Sequence, residues 1–103
     1  MKDKLFVYGT LMTGKRPTDC VVGTLFNLGA FPGIILNGRT LVKGEILEVN
    51  ESMLEQLDVY EGVSSGLYRR ELIKTFNGVE AWIYLFNKTI PEYAKIIESG
   101  KWR

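Results

Sequence analysis

Asn77-Gly78 separates two runs of β-forming residues, Leu67 to Phe76 and Val79 to Phe86. An Asn-Gly pair in that setting is the strongest short-range hairpin signal a chain carries, because both residues tolerate the backbone angles that a tight turn between twisted strands demands. Antiparallel pairing is therefore expected across the C-terminal half. Leu5-Phe6-Val7-Tyr8, a continuous apolar run ended by Gly9, predicts a strand buried on both faces and entering a loop. From Cys20 to Leu28 and again from Ile34 to Leu36, β-branched and aromatic residues are punctuated by Gly23, Gly29, Pro32 and Gly33, which predicts short strands with bends or bulges. Leu41 to Val49 completes the strand set.

Two segments carry helical signals. Ser52-x-x-Glu55 has the capping-box pattern at the start of a helix over Met53 to Glu61, and Gly62 suits the left-handed residue that ends it. Pro91 suits a first helical position, and the second helix is expected to stop before Gly100. Strands without regular strand-helix alternation place the chain in the α+β class. With 103 residues, 46% of them apolar, one domain over 1-103 is expected, with no repeat or linker to divide it.

Composition removes several kinds of chemistry. Thirteen basic and twelve acidic side chains leave a net charge of +1 without like-charge runs, so neither nucleic acid nor a membrane surface is an expected partner. Histidine is absent and Cys20 is the only cysteine, which rules out an internal disulfide, the usual zinc ligand sets and Ser-His or Cys-His catalysis. No metal and no cofactor are expected. The Met1-Lys2-Asp3-Lys4 start runs straight into a strand without a leader-like apolar stretch, and a cytoplasmic location is expected.

At about 100° per residue, Met53, Leu54, Leu57, Tyr60 and Glu61 share one helical stripe, so a carboxylate falls on the face expected to meet the core. Glu61 also lies in the last turn, where the macrodipole disfavours an anion. Burial and dipole together raise a carboxyl pKa, which suits a group that takes and returns a proton near neutral pH. A frayed turn that bends Glu61 into water is the structural alternative. Tyr8-Gly9-Thr10-Leu11, leaving the first strand, could present successive N–H groups to a carboxylate or a polarised carbonyl, or form only a tight turn. The spacing Gly9-x-x-x-x-Gly14-Lys15 imitates a phosphate-binding loop, but Arg16 stands where a magnesium-binding hydroxyl belongs and Pro17 precedes strand-like residues instead of a helix.

Tyr8-Gly9-Thr10-Leu11 at a strand end, with Leu57-Asp58-Val59-Tyr60-Glu61-Gly62 at a helix end, resembles the γ-glutamylcyclotransferase-like (AIG2-like) family. Tyr68-Arg69-Arg70, Ala81-Trp82-Ile83-Tyr84 and Ser99-Gly100-Lys101-Trp102 extend the resemblance over nearly the whole chain in the family's order. It implies a mixed, strongly bent β-sheet or small β-barrel with two short helices. The implied reaction cyclises a γ-glutamyl group to 5-oxoproline and releases an amine or amino acid, so the implied partner is a small γ-glutamyl substrate. Glu61 takes the role of general acid/base, and Tyr8, Gly9, Thr10 and Leu11 cradle the substrate, with Tyr68 and Tyr84 as further pocket contacts. Asp58, off the stripe, is not assigned to the site. Between Leu11 and Gly23 the chain is shorter than typical relatives, and a binding protein that uses the same pocket without turnover is the alternative function.

Overall fold

The computed structural model describes residues 3–102. Met1 and Lys2 of the N-terminal segment, and position 103 of the expected domain, lie outside the described residues. The elements are β1 (Asp3–Val7), β2 (Thr18–Asn27), β3 (Pro32–Val49), α1 (Glu51–Tyr60), β4 (Tyr68–Lys74), β5 (Glu80–Phe86) and β6 (Lys95–Ile96). All six strands belong to one strongly curled sheet in the order β4-β5-β1-β3-β2-β6. β1 runs parallel to β5 and antiparallel to β3; the remaining neighbours are antiparallel, so the sheet is mixed.

The central pair explains the apolar runs. Phe6 and Tyr8 on β1 and its exit, with Ala81, Ile83 and Leu85 on β5, enter a core on one face of the sheet, together with Val21, Leu25, Ile34, Val42 and Ile46. The alternate residues Leu5, Val7, Tyr84 and Phe86 enter a second core on the other face with Leu54 of α1. Period-two alternation thus sorts a continuous apolar run into two cores. The curl brings the β4–β5 turn back onto β2. Asp19, only 4% exposed, accepts hydrogen bonds from the Thr75 hydroxyl (2.5 Å) and the Asn77 amide (3.2 Å), while the Phe76 amide donates to the Cys20 carbonyl (2.8 Å).

The expected hairpin is present. β4 and β5 pair from Tyr68–Phe86 to Lys74–Glu80, and Gly78 closes the turn at φ +83°. Two expected strands, by contrast, fuse into the 18-residue β3, whose residues between Ile35 and Thr40 bulge away from β2 where the register shifts. The Thr24 hydroxyl ties this bulge by donating to the Asn37 carbonyl (2.6 Å).

Two helix expectations need correction. The cap of α1 is Asn50, whose Oδ1 accepts from the Met53 amide (2.8 Å), so Ser52 lies inside the first turn and no Ser52-Glu55 box caps the helix. The second helix is absent. Pro91 to Ala94 form a single turn, and Lys95–Ile96 pair with Phe26 and Asn27 on the β2 edge. The Ile97 amide donates to the Leu25 carbonyl, and the Ile97 side chain packs on the core. An edge in need of hydrogen-bond partners outweighs modest local helix propensity here. No helix among the described residues is long and apolar enough to cross a membrane.

α1 ends in a Schellman motif, with Gly62 at φ +66°, its amide donating to Val59 (3.1 Å) and the Val63 amide donating to Asp58 (3.0 Å). Glu61 is the residue at the stop, with its amide still bonded to Leu57 (2.8 Å). Its backbone is fixed rather than frayed. Gly62→Ala is expected to lose about 1–2 kcal/mol, since a side chain there pays the left-handed conformational cost and meets Leu67 Cβ at 3.3 Å. Asp19→Ala, which strips the Thr75 hydroxyl and the Asn77 amide of their acceptor, is expected to cost about 1–3 kcal/mol. Urea unfolding of each variant beside the parent measures both.

Candidate active site

A cavity of about 420 Å3 opens where the parallel strands β1 and β5 end. Phe6 to Leu11 form one side, Ala30 to Pro32 another, and Tyr60, Glu61, Leu67, Tyr68 and Tyr84 the remainder. Every site residue expected from the sequence, namely Tyr8, Gly9, Thr10, Leu11, Glu61, Tyr68 and Tyr84, lines this one space. Residues 53 positions apart in the chain, Tyr8 and Glu61, meet there because the strand exit and the helix stop converge.

The loop divides its amides between two tasks. The Met12 amide donates to the Gly9 carbonyl (3.1 Å), making a turn. The amides of Thr13 and Gly14 donate to the Glu45 carboxylate at 2.9 and 2.6 Å, and Arg16 stands 3.8 Å from that carboxylate. These bonds, the Thr13 amide first, hold Glu45 below the ordinary carboxylate range although its burial opposes them. An internal anion therefore occupies the place a phosphate would need in the imitation phosphate loop. Among the described residues, no protein acceptor pairs with the amides of Gly9, Thr10 or Leu11. Arg16 also donates to the Leu11 carbonyl (2.8 Å) and fixes the end of that stretch. Gly9 serves packing as well, because a Cβ there would meet the Pro32 ring at 3.0 Å.

The tyrosines are walls whose protons are already committed. Tyr8 donates to the Tyr84 carbonyl (2.6 Å), Tyr68 to the Pro32 carbonyl (2.5 Å) and Tyr84 to Asp58 Oδ1 (2.7 Å). Burial raises all three phenols above their usual value, and the neighbouring Glu61 charge adds to the rise in each. They remain neutral at physiological pH, and their remaining capacity toward a ligand is as acceptors and as apolar surface. Phe31 stacks edge-on to Tyr68, with ring centroids 6.2 Å apart, and completes that wall.

Asp58, unassigned from the sequence, supports the site from behind. Its carboxylate receives the Tyr84 hydroxyl and two bonds from Arg70 (2.8 and 3.1 Å), while Arg70 lies over the Trp82 ring at 4.4 Å. Burial alone would raise the Asp58 carboxyl, but Arg70 and Tyr84 outweigh it and hold it low. Helical phase contains the signal: Asp58 is one turn after buried Leu54, on the same face. Met53 and Tyr60, expected toward the core, are 38% and 73% exposed. The buried direction of α1 is rotated toward Leu54 and Asp58.

Glu61 differs from both other carboxylates. It is half-buried, burial raises its carboxyl above the usual value, and among the described residues neither a cation nor a hydrogen-bond donor pairs with its side chain. A carboxyl of raised pKa thus lines the same cavity as three residues whose amides have no protein acceptor among the described residues.

Comparison with known proteins bears on the family and the fold. A family described as gamma-glutamyl cyclotransferase, AIG2-like, matches residues 5–103. A Vibrio cholerae protein with a provisional gamma-glutamylcyclotransferase name is 36% identical, over 99% of this chain and 96% of that protein. Among solved structures, the Escherichia coli protein ytfP shares 31% identity with a TM-score of 0.76, covering 96% of this chain and 95% of the other. The protein c4763 of uropathogenic E. coli superposes with a TM-score of 0.81 at 24% identity, over 100% and 94% of the two chains, and supports the fold. A match that runs from β1 to the C-terminal segment, with a relative aligned almost end to end, makes this chain a member of the gamma-glutamyl cyclotransferase, AIG2-like family.

Proposed function

We propose that this protein is an enzyme that converts the γ-glutamyl group of an amide into 5-oxoproline and releases the attached amine or amino acid. The observation that carries the reading is the unpaired, half-buried Glu61 carboxylate on the wall it shares with the free amides of Gly9 to Leu11. The substrate's α-amine attacks its own γ-carbonyl, so a carbon–nitrogen bond forms within the substrate and the original amide bond breaks. No enzyme nucleophile is needed. Holding the folded conformer supplies proximity, which in favourable intramolecular reactions is worth about 7–11 kcal/mol.

Glu61 takes one proton from the α-ammonium group to free the attacking amine and returns it to the departing nitrogen, which could not leave as an amide anion. The ring nitrogen then sheds its second proton to the same carboxylate, which passes it to the released amine as an ammonium. Its raised pKa narrows the gap to the ammonium it must deprotonate. The Gly9, Thr10 and Leu11 amides supply donors for the developing oxyanion or the substrate carboxylate. Tyr8, Tyr68 and Tyr84 form the neutral walls that keep this exchange out of bulk water.

Glu61→Gln is expected to lower kcat by about 10²–10⁴-fold without loss of fold. Because burial raises the Glu61 pKa in the folded state, folding prefers the protonated form. That preference stabilises the protein at low pH and is lost as pH rises through the folded-state value. The neutral glutamine escapes this loss, so its Tm at pH 7 should equal or exceed the parent's. Mass spectrometric detection of 5-oxoproline from a γ-glutamyl amide library, with calorimetry on both proteins, checks the pair of outcomes. Ligand binding with no product from any library member would instead assign the cavity to a binding protein.

The base must be ionised to act, so the acidic limb of kcat/KM should have its midpoint above 4.5, the ordinary value of the glutamate carboxyl. A pH–rate profile measures this. A midpoint at or below that value would remove Glu61 from the role of base.

A further inference from the structure

We infer that the enzyme selects substrates whose leaving portion is an uncharged, apolar amine, and that this portion lies in a second groove along α1. The inference rests on the cyclisation reading above. The groove, also about 420 Å3, is lined by Leu11, Leu47, Met53, Gln56, Leu57 and Tyr60. Leu11 and Tyr60 also line the cavity that holds Glu61, so the two spaces adjoin. Among the described residues no charged side chain lines the groove, and Gln56 is the one polar member among them.

The row responsible is the part of the helical stripe that the core does not use. Met53, Leu57 and Tyr60 follow one another at helical spacing, yet α1 buries Leu54 on an adjacent face and leaves Met53 and Tyr60 open. Position supplies the occupant. The nitrogen that receives the Glu61 proton carries the leaving portion, and the residue beside Glu61 in the chain is Tyr60, the shared wall. An amine with a branched hydrocarbon tail reaches from Glu61 past Tyr60 onto Met53, Leu57 and Leu47. A tail ending in an ammonium or carboxylate finds no counter-charge there and loses hydration.

The effect belongs to binding shared by ground and transition states, so it should appear in KM with little change in kcat. Four probes separate the possibilities: γ-glutamyl isoamylamide, methylamide, aminobutylamide and carboxypropylamide, each followed by 5-oxoproline release. The expected kcat/KM for the isoamylamide exceeds that for the methylamide by about tenfold or more, and neither charged amide surpasses the methylamide. Met53→Glu and Gln56→Glu, both at exposed positions, should each shrink the isoamylamide-to-methylamide ratio and improve the aminobutylamide relative to the methylamide. Equal kcat/KM across all four amides would overturn the groove assignment while leaving cyclisation intact. No 5-oxoproline from any of them would overturn both. Sedimentation showing a dimer that Met53→Glu dissociates would give the groove to a second copy of the chain and overturn the assignment.

Discussion

The stop of α1 at Glu61 is the constraint on which the site depends. A helix end left to fray would let a carboxylate reach water, where its pKa returns to normal and its direction is lost. Here the left-handed Gly62 and the amide bonds of Gly62 and Val63 close the turn, fixing the backbone on both sides of Glu61. One turn earlier, Asp58 binds the Tyr84 hydroxyl on β5 and Arg70 on β4. The helix end is thereby attached to the hairpin that borders the cavity, and the rigidity of a sheet is passed to one side chain.

The opposite wall depends on how β1 ends. Both faces of β1 are buried, so the chain leaves the sheet at Tyr8 with its direction fixed by packing. Glu45 on β3 then captures the amides of Thr13 and Gly14, which returns the loop toward the sheet and confines the uncommitted donors to Gly9, Thr10 and Leu11. An internal carboxylate under a loop thus does two things: it satisfies amides that would otherwise compete for an anionic ligand, and it determines which amides remain to meet one.

Legibility in the sequence followed the range of the interactions. The Asn77-Gly78 turn, the buried β1 run and the Gly62 stop are local, encoded within a few residues, and are visible before any coordinates. The segment after Pro91 is not, because its conformation is set by the unpaired edge of β2, some seventy positions earlier, and by Ile97 packing on the core. Asn50 and Ser52 are both capable caps; which one serves depends on the phase that brings Leu54 inward. The same phase explains Asp58. A stripe centred on Leu57 omits it, whereas the observed face through Leu54 includes it, and a rotation of that size is decided by what β5 offers opposite the helix. Glu45 gave no sign at all, since an acidic residue in an alternating strand ordinarily faces water. For the cavity itself, the strand-exit loop and the helix-end glutamate were legible together, while Phe31 and Pro32 enter through sheet curvature.

Three carboxylates near the cavity show how environment assigns roles to identical chemistry. Glu45 receives two amides and the Thr13 hydroxyl with Arg16 nearby, and Asp58 receives Arg70 and a phenol; both are held below the usual carboxylate range. Arg16 pairs with Glu45 and Arg70 with Asp58, and among the described residues no cation pairs with Glu61. Glu61 alone is shifted upward, by burial without a compensating charge. Pairing it with an arginine would hold its carboxyl low, as Arg70 does for Asp58. The arginines hold the architecture in place and, by that commitment, leave the remaining carboxylate with the raised pKa that the proposed proton exchange requires.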